Sequence, residues 1–160
     1  MTAQVKIIKA SNKLQMKAGV GDVDKIFVER AEKAIENNTE NFGEIGKEFL
    51  DRLAAGVQQA RSTDLPMKDK IAGMTQPVME LKANARMFKY ELVTELANVM
   101  LGFLEAIKEL DKDAIDIVAA HHTTLSAIIM KGMKGDGGAS GPMLRKELES
   151  ACQRYFKKRQ

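Results

Sequence analysis

Residues 40–61 read ENFGEIGKEFLDRLAAGVQQAR, and their spacing decides the fold class. Phe42, Ile45, Phe49, Leu53 and Val57 recur at steps of three and four, so a helix gathers them into one apolar stripe with the charged residues opposite. Working outward, the same period returns on both sides. Upstream, Asp22 is a good N-cap for a helix carrying Val23, Ile26, Phe27, Ala34 and Ile35, which Asn37 and Asn38 end. Downstream, a turn over Ser62 to Leu65 leads to Pro66, suited to a first helical position. The helix that follows meets Pro77, which lacks a backbone donor and is expected to kink or split it. Leu92, Leu96, Val99, Met100, Phe103 and Ile107 mark another helix from about Glu91 to Leu110. Asp111 then caps a segment running to about Met133, with Ile115, Val118, His122, Leu125, Ile129 and Met133 as its inward stripe. After the glycine-rich Gly135 to Gly141, Pro142 opens a last helix with Leu144, Leu148, Ala151 and Tyr155. The expectation is an all-α fold, a helical bundle. Residues 21–160 make one domain, and residues 1–20 make an N-terminal arm in which Val5, Ile7 and Ile8 are a short extended piece.

Composition agrees. At 160 residues the chain suits one domain with one core. Scarce aromatics, absent tryptophan and abundant Met, Ala, Leu, Glu and Lys favour helices, because unbranched side chains lose little rotamer freedom there. The single cysteine, Cys152, excludes a disulfide framework or a multi-thiolate metal cluster within one chain and reads as a small buried hydrophobe. No stretch has the roughly 20 apolar residues needed to span a bilayer, and no secretory signal opens the sequence, so a cytoplasmic protein without membrane association is expected. The net charge of +3 is small, and much of the excess sits at the ends, in Lys6, Lys9, Lys13, Lys17, Arg154, Lys157, Lys158 and Arg159. Without interleaved aromatics these read as solvated termini and not as a nucleic-acid surface.

The helix after Pro77 offers more apolar surface than a core needs. Val78, Leu81, Ala85, Phe88 and Leu92 form a sufficient core-facing stripe. On the opposite side fall Met79, Ala83, Met87 and Tyr90, with Lys82 and Arg86 along one edge and Glu80 and Asn84 along the other. Apolar residues on a polar-rimmed outer face suggest a docking patch, and methionine suits one because its flexible thioether adapts to different surfaces. The alternative is that a further helix, or a second copy of the chain in a homodimer, covers the patch.

The run Met79-Glu80-Leu81-Lys82-Ala83-Asn84-Ala85-Arg86-Met87-Phe88-Lys89-Tyr90 resembles a segment of histidine phosphotransfer (HPt) proteins of bacterial two-component signalling, which reads His-Asp-Ile-Lys-Gly-Gln-Gly-Gly-x-Phe-Gly-Tyr. Leu92-Val93-Thr94-Glu95 is similar to the helix start that follows, and Lys131-Gly132-Met133-Lys134-Gly135-Asp136-Gly137-Gly138 to a later Lys-Gly-x-Gly-Gly turn. The resemblance implies a four-helix bundle whose exposed histidine exchanges a phosphoryl group with a response-regulator receiver domain. Met79 stands at the histidine's position here, and a thioether cannot carry the phosphoryl group. Lys82 matches the lysine that assists phosphoryl binding, while Ala83, Ala85 and Arg86 replace small residues, Arg86 changing the surface most.

What the resemblance then implies is a noncatalytic signalling adaptor, without cofactor or metal, that binds a receiver domain or a histidine kinase through Met79, Lys82, Ala83, Arg86, Met87 and Tyr90. An enzymatic alternative uses Glu80 and Asn84. Four residues apart, they share a helix face, and an acid with an amide one turn later resembles helical phosphatases of receiver domains. Asn84 would orient the attacking water and Glu80 would contact the receiver's lysine. His121 and His122 are adjacent and cannot form an i, i+4 metal pair. His122 reads as a core histidine; His121, nearer the edge, is the one candidate for a substitute phospho-acceptor, but no Lys-Gly follows it at the family's spacing. The 135–141 loop lacks the Gly-Lys-Ser/Thr ending of a nucleotide cradle and reads as a turn, with Ser140 near the cap of the last helix.

Overall fold

The computed structural model describes residues 12–19, 21, 23–36, 41–62 and 64–159. It is all-helical, with no strand among the described residues. The chain divides into two units, Met1–Thr39 and Glu40–Gln160, so the boundary falls well after the expected residue 20. The first unit holds α1 (Lys13–Ala18) and α2 (Lys25–Glu36). The expected arm thus contains a short helix; Val5, Ile7, Ile8, Asp22, Asn37 and Asn38 lie outside the described residues. Asp24 accepts a hydrogen bond from the Ile26 amide at 3.0 Å where α2 begins, and Val23, Ile26, Phe27 and Val28 are exposed. The apolar residues that the helical period gathers at the start of α2 thus stand open within this first unit.

The second unit contains α3 (Phe42–Ser62), α4 (Met67–Met87), α5 (Glu91–Ala106), α6 (Lys112–Met130) and α7 (Gly141–Lys157). Helix α3 packs against α4 and α6, and α5 closes the ring by packing against α4 and α6; α7 lies against α5 and α6. Short connections join consecutive helices of this four-membered ring, and its core holds Leu53, Met74, Leu81, Leu96, Met100, Leu104 and Leu125. The apolar stripe of α3 is centred on Phe42, Leu50, Leu53 and Val57, with Ile45 and Phe49 half-buried at its edge.

Pro77 does not split α4, which is continuous from Met67 to Met87. The proline ring is buried in the core, and the donor it lacks would have served the Gly73 carbonyl. That carbonyl lies against α3: a Cβ built on Gly56 would sit 2.8 Å from the Gly73 oxygen. Glycine at position 56 therefore lets two backbones approach where one carbonyl has lost its helical partner, and burial on both sides holds the helix together.

Two helix ends build the floor of the bundle. After α6, the Gly132 amide donates to Ile129 O at 3.0 Å and the Met133 amide to Ile128 O at 3.0 Å, with Gly132 left-handed at φ 60°. After α4 the same pattern recurs: the Lys89 amide donates to Arg86 O at 3.3 Å and the Tyr90 amide to Ala85 O at 2.9 Å. Both are Schellman terminators, which favour glycine at the left-handed position, yet the second places Lys89 there at φ 62°. The two ends are stitched together, the Gly135 amide donating to Lys89 O at 2.7 Å and the Leu92 amide to Gly135 O at 2.9 Å.

At the other end, Asp111 caps α6 as expected, accepting from the Ala114 amide at 2.8 Å. Three of the C-terminal cations form ion pairs, although Arg154 and Lys158 stay largely exposed. Arg159 pairs with Asp111 and Asp113 and lies 3.7 Å over the Tyr155 ring, Lys158 pairs with Asp113, and Arg154 with Glu147. Burial opposes ionisation of Asp111, but the Ala114 amide and Arg159 outweigh it and hold its carboxyl below the ordinary range.

Candidate functional site

Helix α4 leaves the residues flagged on its outer side in three different surroundings. Met79, Lys82, Ala83 and Arg86 line a groove of about 1040 Å³, together with Ile71 and Thr75 from α4 and Thr94, Asn98, Leu101, Gly102, Leu104 and Glu105 from α5. The helical period explains the grouping, since Met79, Lys82, Ala83 and Arg86 fall at steps of three and four and so share one side. Their α5 counterparts Thr94, Asn98, Leu101 and Glu105 repeat in the same way. Met79 is 58 % exposed, and no other helix covers it among the described residues. Lys82 and Arg86 form no ion pair with any of the described residues. The groove thus combines an apolar lining with two uncommitted cations, and Glu105 stands at its far end. Gly102 adds width, since a Cβ built there would meet nothing within 4 Å.

Met87 is 54 % exposed at the last position of α4, beside the groove but not lining it. Tyr90 departs from expectation. It is buried, its ring centroid 4.6 Å from that of Phe42, and Phe88 stacks on the same ring at 5.3 Å. The reason is the terminator at Lys89: once the helix stops at Met87 and the chain reverses, helical phase no longer places Tyr90 outward. Tyr90 is therefore a core residue and does not line the groove.

Glu80 and Asn84 lie on the side of α4 that faces α3. Arg52 of α3 grips the Glu80 carboxylate with both guanidinium ends, at 2.6 and 3.1 Å, and Gln76 donates to it at 3.0 Å. The Arg52 hydrogen bonds, then that of Gln76, hold the Glu80 carboxyl below the usual carboxylate range. Asn84 Nδ2 donates to the backbone carbonyl of Glu80 at 2.9 Å. The two side chains thus share a face, but both make intramolecular bonds, and neither lines the groove.

The histidines exchange the roles read from sequence. His121 is fully buried, on the stripe formed with Val118, Leu125 and Ile128, while His122 is half-buried at the α3 boundary, its Nε2 3.2 Å from Leu50 O. One residue of helical phase, about 100°, separates the two readings. Since a carbonyl only accepts, the 2.9 Å contact between His121 Nδ1 and Ile117 O puts the proton on Nδ1 and leaves Nε2 as a bare, buried acceptor without a partner. Burial pushes the His121 pKa down, against the Ile117 hydrogen bond, so the ring is neutral. An enclosed imidazole cannot meet a partner protein's phosphoryl group, which removes His121 as a substitute acceptor. Burial likewise pushes the Cys152 thiol up to about 11, making it an unreactive core residue.

No group of three or more His, Cys, Asp or Glu among the described residues is placed to hold a metal ion, and no described helix is long and apolar enough to cross a membrane. The groove was missed as a groove by sequence reasoning because its α5 wall, Asn98, Leu101 and Gly102, carries no motif; the small residue Gly102 is the one signal. No family model matches the chain, and neither the curated proteins nor the solved structures compared with it include a match.

Proposed function

We propose that this chain is an HPt-like docking module that binds a receiver domain or a histidine kinase in the groove between α4 and α5 without exchanging a phosphoryl group. The observation that carries the reading is the position of Met79, exposed in an apolar groove beside Lys82 and Arg86, where the resembled family bears its histidine. An exposed thioether offers adaptable apolar contact, and two cations without an ion-pair partner among the described residues favour an acidic surface, such as that around a receiver's phosphorylated aspartate. Catalysis by Glu80 and Asn84 gains no support from their placement, because a water-activating pair has to reach the partner and Glu80 is held by Arg52.

Titration of receiver and kinase domains from the same genome against wild type, Met79→Asp and Lys82→Glu/Arg86→Glu tests the reading. At least one domain should bind wild type, and each variant should weaken it by roughly tenfold or more, since a charge is buried or reversed at the contact. Equal affinities for all three proteins would refute it, and a dimer disrupted by the same variants would assign the groove to a second copy of the chain.

A further inference from the structure

Helices α4 and α5 sort their methionines sharply. Met74 on α4 and Met100 on α5 are completely buried, whereas Met79 and Met87 on α4 are 58 % and 54 % exposed. Two sulfur atoms on α4 are therefore open to a small oxidant and a third is sealed from it, while Met67 at its first position is half-buried. Met79 shares its lining with Ile71, Ala83 and Leu101, so a polar atom at its sulfur would interrupt the apolar side of the groove. Lys82 stands one helical turn from Met79 and Arg86 two turns, on the same side. Sulfoxide oxygen accepts hydrogen bonds and thioether sulfur barely does, so both cations gain a competing intramolecular partner.

We propose that Met79, with Met87, is a site of oxidation by hydrogen peroxide or an organic peroxide, and that conversion to the sulfoxide closes the groove to its partner. The consequence for a partner protein rests on the docking reading above; the change in the groove does not. In the step, a sulfur lone pair attacks one peroxide oxygen. The S–O bond forms, the O–O bond breaks, and the other oxygen leaves with a proton as water or alcohol. Sulfur is oxidised by two electrons and the peroxide reduced by two. A dithiol reductase reverses the change, the sulfoxide oxygen leaving as water while the dithiol becomes a disulfide.

The experiment treats the folded chain with hydrogen peroxide, maps sulfoxide by peptide mass spectrometry, and follows two probes of the groove. One is the receiver or kinase domain that binds in the titration above. The other is anilinonaphthalene sulfonate, whose apolar rings and anionic group match the lining and the cations. Met79 and Met87 should oxidise while Met74 and Met100 do not, and both probes should bind roughly tenfold more weakly. Met79→Leu/Met87→Leu should keep its affinity after the same treatment, even though Met130 and Met143, both exposed, oxidise in it too. Unoxidised Met79, unchanged binding by the oxidised wild type, or an equal loss in the leucine variant would each overturn the proposal. If no signalling domain binds the untreated protein but the dye behaves as stated, the docking reading falls and the oxidation site stands.

Discussion

The close approach of α3 and α4 makes a quantitative prediction in which one substitution at two helical glycines has opposite signs. Gly56→Ala would put a Cβ 2.8 Å from the Gly73 oxygen and 3.0 Å from its carbonyl carbon, both backbone atoms inside α4. An ordinary C···O contact is about 3.3 Å or longer, so the helices have to part by roughly half an ångström or α4 has to bend. Overpacking of this kind costs about 1–3 kcal/mol, and replacing a mid-helix glycine returns about 1 kcal/mol, leaving a net loss of up to about 2 kcal/mol. Gly102→Ala, in the interior of α5 with nothing within 4 Å of its new Cβ, keeps only the gain, about 0.5–1 kcal/mol. For a unit of this size 1 kcal/mol moves Tm by about 3–5 °C, so the two variants should separate by roughly 5–10 °C in thermal melts followed by far-ultraviolet circular dichroism. Urea unfolding should show the same order with unchanged slopes. If both substitutions shift Tm in the same direction by similar amounts, the contact between Gly56 and the carbonyl freed by Pro77 is not the packing constraint argued for it.

Other consequences are as direct. Lys89→Gly relieves a left-handed residue at the end of α4 and should stabilise the unit by about 1 kcal/mol, read as a higher urea midpoint; a lower midpoint would contradict the terminator assignment. His121 is neutral when buried and takes up a proton once unfolded, so its contribution is complete above its ordinary pKa of 6.5 and declines as pH falls below that value. Stability should therefore fall by up to about 1.4 kcal/mol per pH unit below pH 6.5, and His121→Leu should remove that slope; the lowered carboxyls of Asp111, Asp113 and Glu80 act only in a lower range, below about pH 4.5. Asp111→Ala should cost about 1 kcal/mol through the lost cap of α6, while Asp111→Asn, which keeps an acceptor for the Ala114 amide, should recover most of it in the same melts. Met79→His returns an imidazole to an exposed site beside Lys82, and incubation with a radiolabelled phosphorylated receiver should then transfer label to this chain; no transfer from a receiver that binds would show that position 79 does not correspond to the family's histidine.

Sequence by itself determined that the chain is helical and, within a few residues, where α3, α5, α6 and α7 run. Apolar residues at steps of three and four leave no other way to share a face, and Asp111 carries the chemistry of a helix start. It also singled out Met79, Lys82, Ala83 and Arg86, because their side of α4 remains apolar after Val78, Leu81 and Ala85 have supplied a core stripe. What period cannot specify is which neighbour covers a face or where a helix stops. Tyr90 turned inward because a terminator at Lys89 broke the phase, and His121 replaced His122 in the core because a single residue of phase decides between them. Pro77 stayed inside a continuous helix because Gly56 and the core hold both sides of the interrupted ladder. Glu80 went to Arg52 because α3 lies on that flank of α4, and the groove exists because α5 lies on the other. Such contacts join residues far apart in sequence, and burial and charge pairing choose among them only once the helices have packed.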